Sequence, residues 1–267
     1  MHPKLIDFGE ISLWRLAAHP ILHTYGFLLA VGFLLGIKLA ILRGKKLGLE
    51  ADRIVDLGLW ILVSALLGAK LLLLITDWEH YRHAPWSLVT SGGVFYGGLL
   101  GAIAASLWFF HKHRLSTWQM GDLIAPSLAL GHAVGRLGCL SAGCCYGKPA
   151  SVAWAITFTD EYARTIVGVP LGVPLHPTQL YEAGAELVIF LTLLLLARKK
   201  RFEGQIFWTY VILYAAARFV IEFFRGDPRG FVFGDTLSTS QFIGLLMLGA
   251  AAAAILVLRG KPGPRLA

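Results

Sequence analysis

Polar residues of the kind that hold anions recur at short spacing in three segments of the chain. The densest reads His132-Ala-Val-Gly-Arg136-Leu-Gly138-Cys139-Leu-Ser-Ala-Gly-Cys144-Cys145-Tyr146-Gly147-Lys148-Pro149. Its glycines let a ligand approach the backbone closely, and an arginine among backbone donors suits a phosphate held by two parallel hydrogen bonds. A second segment, His176-Pro-Thr178-Gln179-Leu-Tyr181-Glu182, sets hydrogen-bonding side chains before an apolar run, as a helix start at a membrane interface would. Capping alone accounts for Thr178. In the third, Tyr214, Arg218 and Glu222 follow at four-residue steps, so a helix carries them as one polar stripe. On an aromatic and aliphatic helix that stripe faces a bundle interior or a water-filled cavity. It either locks helices together as an Arg–Glu pair or forms part of a ligand site.

Cys139, Cys144 and Cys145 fall within seven residues and invite a metal or redox reading. Paired Cys-x-x-Cys units are missing and no compact four-ligand set is visible, although His132 offers a further nitrogen, so no metal and no cofactor is expected. A disulfide on an oxidising face would leave one thiol over, and the adjacent pair would need a strained ring. At least one of the three reads as a buried structural thiol.

What must position these residues is a set of membrane helices. A chain of 267 residues that is 56% hydrophobic and only 15% charged exceeds the apolar share of soluble domains. Apolar runs at 20–42, 54–75, 93–110, 123–140, 178–197, 205–224 and 238–258 predict an all-α polytopic membrane bundle of about seven transmembrane helices. Glycine, proline and polar residues between 126 and 177 leave room for a broken segment there. The remaining connections are short. Residues 1–267 therefore read as a single transmembrane domain with one extracytoplasmic elaboration at about 139–177.

Lysine and arginine concentrate in alternate connections: Arg43, Lys45, Lys46 and Arg53; Lys112 and Arg114; Arg198, Lys199, Lys200 and Arg201; Arg259, Lys261 and Arg265. Lys4 and Arg15, Arg82, Arg136, Lys148 and Arg164, and Arg225 and Arg229 are sparser on the other side. Positive loops stay in the cytoplasm, which places the N-terminus outside and the C-terminus inside. The net charge of +8 then sits beside an anionic leaflet, and nucleic-acid binding need not be invoked. No cleavable signal is visible, so the first run is expected to stay as an anchor.

Ionisable residues inside spans cost about 2.5–3.5 kcal/mol on insertion scales, which singles out Lys38, Lys70, Arg136, Arg218 and Glu222. Lys38 can snorkel to the interface, whereas Lys70 either snorkels, pairs with a carboxylate or lines a polar pocket. Gly93, Gly97 and Gly101, and Gly131 and Gly135, recur at four-residue spacing and read as close helix contacts.

Taken together, five features resemble the prolipoprotein diacylglyceryl transferase family: Tyr25-Gly26, Gly92-Gly93-Val-Phe-Tyr96-Gly97-Gly98, Gly135-Arg136-Leu-Gly138, His176-Pro-x-Gln179-Leu-Tyr181-Glu182 and Tyr214-x3-Arg218-x3-Glu222-x2-Arg225. They run in order over most of the chain. The resemblance implies a multi-pass enzyme of the bacterial inner membrane. Such an enzyme moves the diacylglyceryl group of phosphatidylglycerol onto the lipobox cysteine of secreted prolipoproteins and releases glycerol phosphate. Its implied partners are phosphatidylglycerol, lipobox precursors and membrane lipids.

Carried over by the matching motifs, Arg136 contacts the lipid, Arg218 is the second essential arginine, and Tyr25 and Tyr214 are site tyrosines. Gly138 and Gln179 join the lipid-binding set. Three positions depart from the pattern: Tyr96 replaces a histidine, Cys139 an asparagine and Cys144 an acidic residue. His132, one turn before Arg136, either stands in for the missing histidine or packs as an ordinary side chain.

Attack of a thiol on a glyceryl carbon needs a thiolate and a stabilised departing phosphate. Arginines supply the second and favour the first by lowering the incoming thiol's pKa. The sulfur comes from the substrate, so the chain needs no nucleophile of its own. Tyr96, Tyr25 and His132 stand beside the arginines as catalytic candidates, with Tyr96 as a hydrogen-bond donor to the headgroup. Two further classes fit part of the pattern. One is an anionic-lipid-binding protein or transporter without chemistry; the other is a membrane thiol oxidoreductase using Cys144 and Cys145.

Overall fold

The computed structural model describes residues 2–9, 11–13, 16–18, 21–227, 230–234 and 236–260. Arg15, Arg229, Lys261 and Arg265, which entered the charge asymmetry, and Pro20 at the start of the first expected span lie outside them.

Each of the seven apolar runs folds as a helix, since a segment surrounded by lipid must satisfy its backbone groups internally. The helices are α1 (Thr24–Gly44), α2 (Ala51–Thr76), α3 (Trp78–His83), α4 (Pro85–Thr90), α5 (Phe95–Lys112), α6 (Thr117–Ala142), α7 (Glu161–Val167), α8 (Thr178–Ala197), α9 (Gln205–Glu222) and α10 (Thr239–Leu258). Among the described residues five segments, Thr24–Leu47, Ala51–Thr76, Thr117–Ala142, Thr178–Ala197 and Thr239–Leu258, are long and apolar enough to cross a membrane. The other two expected spans, α5 and α9, are 18 residues each and carry polar groups, His111 and Lys112 in one, Arg218 and Glu222 in the other. Leu34, Leu66, Leu67, Leu100, Val188, Leu195 and Val257 are exposed along these helices, as a lipid-facing surface requires.

The chain forms two compact units. The first comprises Met1–Lys38 and Asp122–Ala267. In it α6 runs unbroken through Pro126, so the interruption allowed for after residue 126 begins only past Ala142. The helices α1 and α6 meet through glycine: a Cβ on Gly32 would lie 2.8 Å from the Gly131 carbonyl oxygen. Ala125, Ala129, Ile189, Leu193 and Ile206 form the core shared by α6, α8 and α9. Helix α10 packs on α9 and opens with a capping box in which the Ser238 side chain and the Gln241 amide each bond the other's backbone at 3.1 Å.

Asp122 closes the far end of this unit. Its carboxylate accepts from the backbone of Gly204 at 2.7 Å and Phe207 at 2.9 Å, at the start of α9, and pairs with Lys200 Nζ at 2.9 Å. Lys200 belongs to a connection expected on the cytoplasmic side, and its ammonium is buried against this carboxylate.

Residues 143–177 carry their own small core of Tyr146, Phe158, Ala163, Val169 and Leu175. Around it, α7 starts on the Asp160 cap and ends on Gly168 at φ +70, and the short strands β1 (Ile156–Thr157) and β2 (Pro174–Leu175) pair antiparallel. The stretch after α6 threads between the start of α8 and the end of α9. The Gly147 N–H donates to the His176 carbonyl at 3.1 Å, the Lys148 N–H to the Phe224 carbonyl at 2.8 Å, and the Gly226 N–H to the Tyr146 carbonyl at 3.1 Å. Any Cβ on Gly147 would collide with the His176 and Phe224 carbonyls, so only glycine fits.

The second unit is Leu39–Gly121. Its centre is the α2–α5 pair, where Gly97 and Gly101 lie against the Gly68 and Ser64 backbone as the four-residue glycine spacing predicts. Of the roles open to Lys70, the structure selects a polar one without a carboxylate. Its ammonium donates to the carbonyls of Leu88 at 2.7 Å, Val89 at 3.3 Å and Gly92 at 3.2 Å, and it also reaches Ser91. A cation at the C-terminal end of α4 satisfies carbonyls that the helix leaves over.

Candidate active site

Four elements of the first unit bring charged side chains to one place: α6 carries His132 and Arg136, α8 carries Glu182 and Glu186, α9 carries Arg218 and Glu222, and the turn after α9 carries Arg225. Glu182 is the hub. Its Oε1 lies 2.7 Å from Arg136 Nη2 and 4.0 Å from Arg218 Nε, and its Oε2 lies 3.7 Å from Arg225 Nη1. Glu182 is only 2% exposed, so one carboxylate lies among three guanidinium groups away from water. Such a charge is tolerable only when paired.

The remaining polar contacts fix the arginines in turn. Arg136 Nε donates to His132 Nε2 at 3.0 Å, and His132 Nδ1 faces Glu186 Oε1 at 2.7 Å. Because Nε2 accepts from Arg136, a neutral His132 ring carries its proton on Nδ1, the nitrogen that faces Glu186. Arg218 Nη2 pairs with Glu222 Oε2 at 2.6 Å and donates to the Ser240 hydroxyl at 3.4 Å. Arg225 grips Asp227 with two parallel bonds, Nε at 2.8 Å and Nη2 at 2.9 Å. Burial alone would pull the Arg225 guanidinium down, but the Asp227 bonds and the nearby Cys145 outweigh it and hold the group above its usual range.

Among the buried side-chain atoms without a hydrogen-bond partner are Nη1 of Arg218, Nη1 of Arg225 and Oε1 of Gln179. A buried donor or acceptor left without a partner is free to bond a ligand.

A model of the family described as prolipoprotein diacylglyceryl transferase matches residues 12–257. The chain belongs to the prolipoprotein diacylglyceryl transferase family. A relative named phosphatidylglycerol--prolipoprotein diacylglyceryl transferase, from Clostridium tetani, is 36% identical over 229 residues, 85% of this chain and 89% of that protein. A second from Clostridium perfringens, whose name carries the suffix 2, is 35% identical over 231 residues, covering 85% and 87%. One from Bordetella bronchiseptica is 32% identical over 269 residues, covering 97% and 99%.

Of the residues singled out for this family's chemistry, Arg136, Arg218, His132 and Tyr214 come together around Glu182, and Gln179 lies one turn before Glu182 on α8. The Tyr214 ring lies 5.4 Å from that of His132 and stacks on Tyr210 at 5.9 Å. Gly138 and Tyr25 meet one turn along: a Cβ on Gly138 would lie 3.2 Å from the Tyr25 ring. Tyr96 belongs to the second unit, in the first turn of α5, where its half-exposed ring stands 5.6 Å from that of Phe95.

Thr178 departs from the expectation. The N-cap of α8 is Pro177 and makes no side-chain bond, whereas the Thr178 hydroxyl donates to the Cys145 carbonyl at 2.7 Å. Beside it the Gln179 amide donates to the Cys144 carbonyl at 2.8 Å. Both side chains are fully buried.

The sequence motifs passed over Glu186 and included Glu182 and Arg225 without a role. The signal was available for the two glutamates, which stand four residues apart inside the apolar run at 178–197 and meet the same cost criterion as Arg218 and Glu222.

The three thiols are free. Cys145 Sγ lies 3.6 Å and Cys139 Sγ 4.0 Å from Arg136 Nη1. Hydrogen bonds from Cys139 and Cys144, with the charges of Arg225 and Arg136, outweigh burial and hold the Cys145 thiol below its usual range.

Proposed function

We propose that the chain transfers the diacylglyceryl group of phosphatidylglycerol to the lipobox cysteine of a prolipoprotein and releases glycerol phosphate. The observation that carries this reading is the buried, unpartnered Nη1 of Arg218 next to the guanidinium groups that converge on Glu182. Planar forks held this way, away from water, suit a phosphodiester better than a neutral ligand.

In the reaction the peptide sulfur forms a bond to the glyceryl carbon as the bond from that carbon to the phosphate oxygen breaks. Arg136 and Arg218 face the charge that develops on the departing phosphate, and removing one preorganised donor of this kind costs about 2.7–4 kcal/mol in other enzymes. Glu182 and His132 keep Arg136 in place. Gln179 Oε1 is placed to accept from a headgroup hydroxyl, and Tyr25, Gly138 and Tyr214 shape the lipid's approach. Tyr96 enters as a donor that orients the headgroup.

The enzyme works in the bacterial inner membrane with about seven spans, α5 and α9 completing the five longer ones, the N-terminus outside and the C-terminus cytoplasmic. The charge asymmetry of the connections supports that orientation. A single transmembrane domain with the elaboration at about 139–177 on the outer face presents the site to secreted precursors.

The test is release of glycerol phosphate from phosphatidylglycerol vesicles by the purified protein, with a lipobox peptide and its Cys→Ser counterpart. Release with the cysteine peptide alone agrees with the proposal. Lipid binding without release, as for a carrier, or equal release with both peptides, as for a phospholipase that hydrolyses the lipid to diacylglycerol, contradicts it.

A further inference from the structure

The reading above leaves the chain's own thiols unused, yet the fold gathers them. The sulfur atoms of Cys139, Cys144 and Cys145 lie within 4.8 Å of one another. Cys139 sits in the last turns of α6, and the other two follow where the chain reverses through Gly143 at φ +79 and Cys145 at φ +63. A left-handed conformation costs a residue with a Cβ about 1–2 kcal/mol. Here the cost is met by α8, whose buried Thr178 and Gln179 pin the carbonyls of Cys145 and Cys144 at 2.7 and 2.8 Å. In an extended chain adjacent side chains point to opposite faces, so this reversal is what turns both thiols toward Cys139.

The spacing and charge suit a cation. Four sulfurs around zinc at about 2.3 Å stand roughly 3.8 Å apart, so the thiols need to contract by about 1 Å or less. A disulfide would need a contraction to about 2 Å and would leave one thiol over. Three thiolates and a divalent ion sum to −1, and Arg136 Nη1, 3.6 Å from Cys145 Sγ, offsets that charge. Cys144 also lines a mainly apolar cavity of about 260 Å3 with Tyr25, His23, Tyr162 and Ile166, which gives a peptide side chain a route to the sulfurs.

We propose that Cys139, Cys144 and Cys145 form a three-thiolate site for one thiophilic divalent cation of the zinc class, whose fourth coordination position takes the incoming peptide thiol. The catalytic half of this inference rests on the transferase reading. As the peptide sulfur binds the cation, its S–H proton passes to bulk water. The sulfur's electron pair then forms the S–C bond, the C–O bond to phosphate breaks, and that pair leaves on glycerol phosphate beside the arginines. The product thioether is neutral and a weaker ligand than a thiolate, so it departs and the cation keeps its three protein ligands. Nothing is oxidised or reduced.

The experiment loads the full chain, purified in detergent without chelator, with Zn2+, removes the excess by gel filtration and measures zinc per chain. Cd2+ in its place reads the thiolate-to-metal absorption band in the wild-type protein, which needs no variant to fold. One cation per chain is expected, with a Cd2+ band that grows on adding a cysteine peptide but not a serine peptide. Cys139→Ser, Cys144→Ser and Cys145→Ser should each lose the zinc while keeping the melting temperature of the metal-free protein. A wild type that binds no zinc, zinc retained in all three variants, or a disulfide among the three found by mass spectrometry overturns the proposal. Chelation should depress transfer and Zn2+ restore it. Full transfer by metal-free enzyme overturns the thiol-activating role and leaves the transferase reading standing, whereas a cation bound at the thiols with no transfer supports the site and overturns that reading.

Discussion

Arg136 on α6 and Glu182 on α8 stand 2.7 Å apart, Nη2 to Oε1, and this ion pair joins the two segments that carried the densest polar residues in the sequence. The same carboxylate faces Arg218 and Arg225 at 4.0 and 3.7 Å, so it holds the arginine cluster together before any lipid arrives. Glu182→Gln should therefore destabilise the protein by about 3–5 kcal/mol, because buried guanidinium charges lose their counter-ion. Phosphatidylglycerol should raise the melting temperature of the variant more than that of the wild type, its phosphate replacing the lost charge. A variant that melts like the wild type would remove Glu182 from the centre of the site.

Arg218→Lys is expected to lose transfer by about a hundredfold or more, since an ammonium cannot reproduce the planar fork that pairs with Glu222 and leaves Nη1 for the ligand. The check is kcat/KM in detergent with the lipid saturating and limiting in turn. Full activity in the lysine variant would mean that the site needs charge alone.

His132 accepts from Arg136 through Nε2 and faces Glu186 with Nδ1 at 2.7 Å, so it acts as a positioning residue for the arginine. His132→Ala and Glu186→Gln should each lower kcat about tenfold, and the double variant should be little worse than either, because all three changes release the same arginine. Additive losses would show two independent roles. Tyr96→Phe, by contrast, should lower transfer modestly, as loss of one neutral hydrogen bond to the headgroup does.

How much of this was legible in the sequence depends on where each residue's partner lies. The seven helices follow from apolar runs, and the Tyr214–Arg218–Glu222 stripe follows from helical spacing, because both are local patterns. Glu182 and Glu186 obey the same spacing, but Glu182 was read within a helix start, where capping offers an easy explanation for polar residues, and Glu186 was passed over. Thr178 was assigned to that cap too, yet its partner is the carbonyl of Cys145, 33 positions away in the chain. Lys200 was counted only as one charge of a cytoplasmic connection, because nothing nearby in sequence announces Asp122. The gathering of three thiols has the same origin: it depends on a left-handed residue clamped by another helix, which residue spacing cannot express.

Asp122 supplies a control outside the site. Its carboxylate anchors the start of α9 and neutralises the buried Lys200, so Asp122→Ala should cost about 3–5 kcal/mol of stability. Transfer per folded molecule should stay near that of the wild type. Thermal melts and activity normalised to folded protein separate the two, and a specific loss of turnover without loss of stability would contradict this purely structural assignment.

The central claim is tested most directly by mass spectrometry of a synthetic lipobox peptide incubated with the purified chain and phosphatidylglycerol of defined acyl composition. A mass increase equal to one diacylglyceryl group, localised to the cysteine sulfur and absent with Arg136→Ala protein that is inserted and folded, is the predicted result. An unmodified peptide after prolonged incubation with folded wild-type protein, or equal modification by the Arg136→Ala variant, would contradict it.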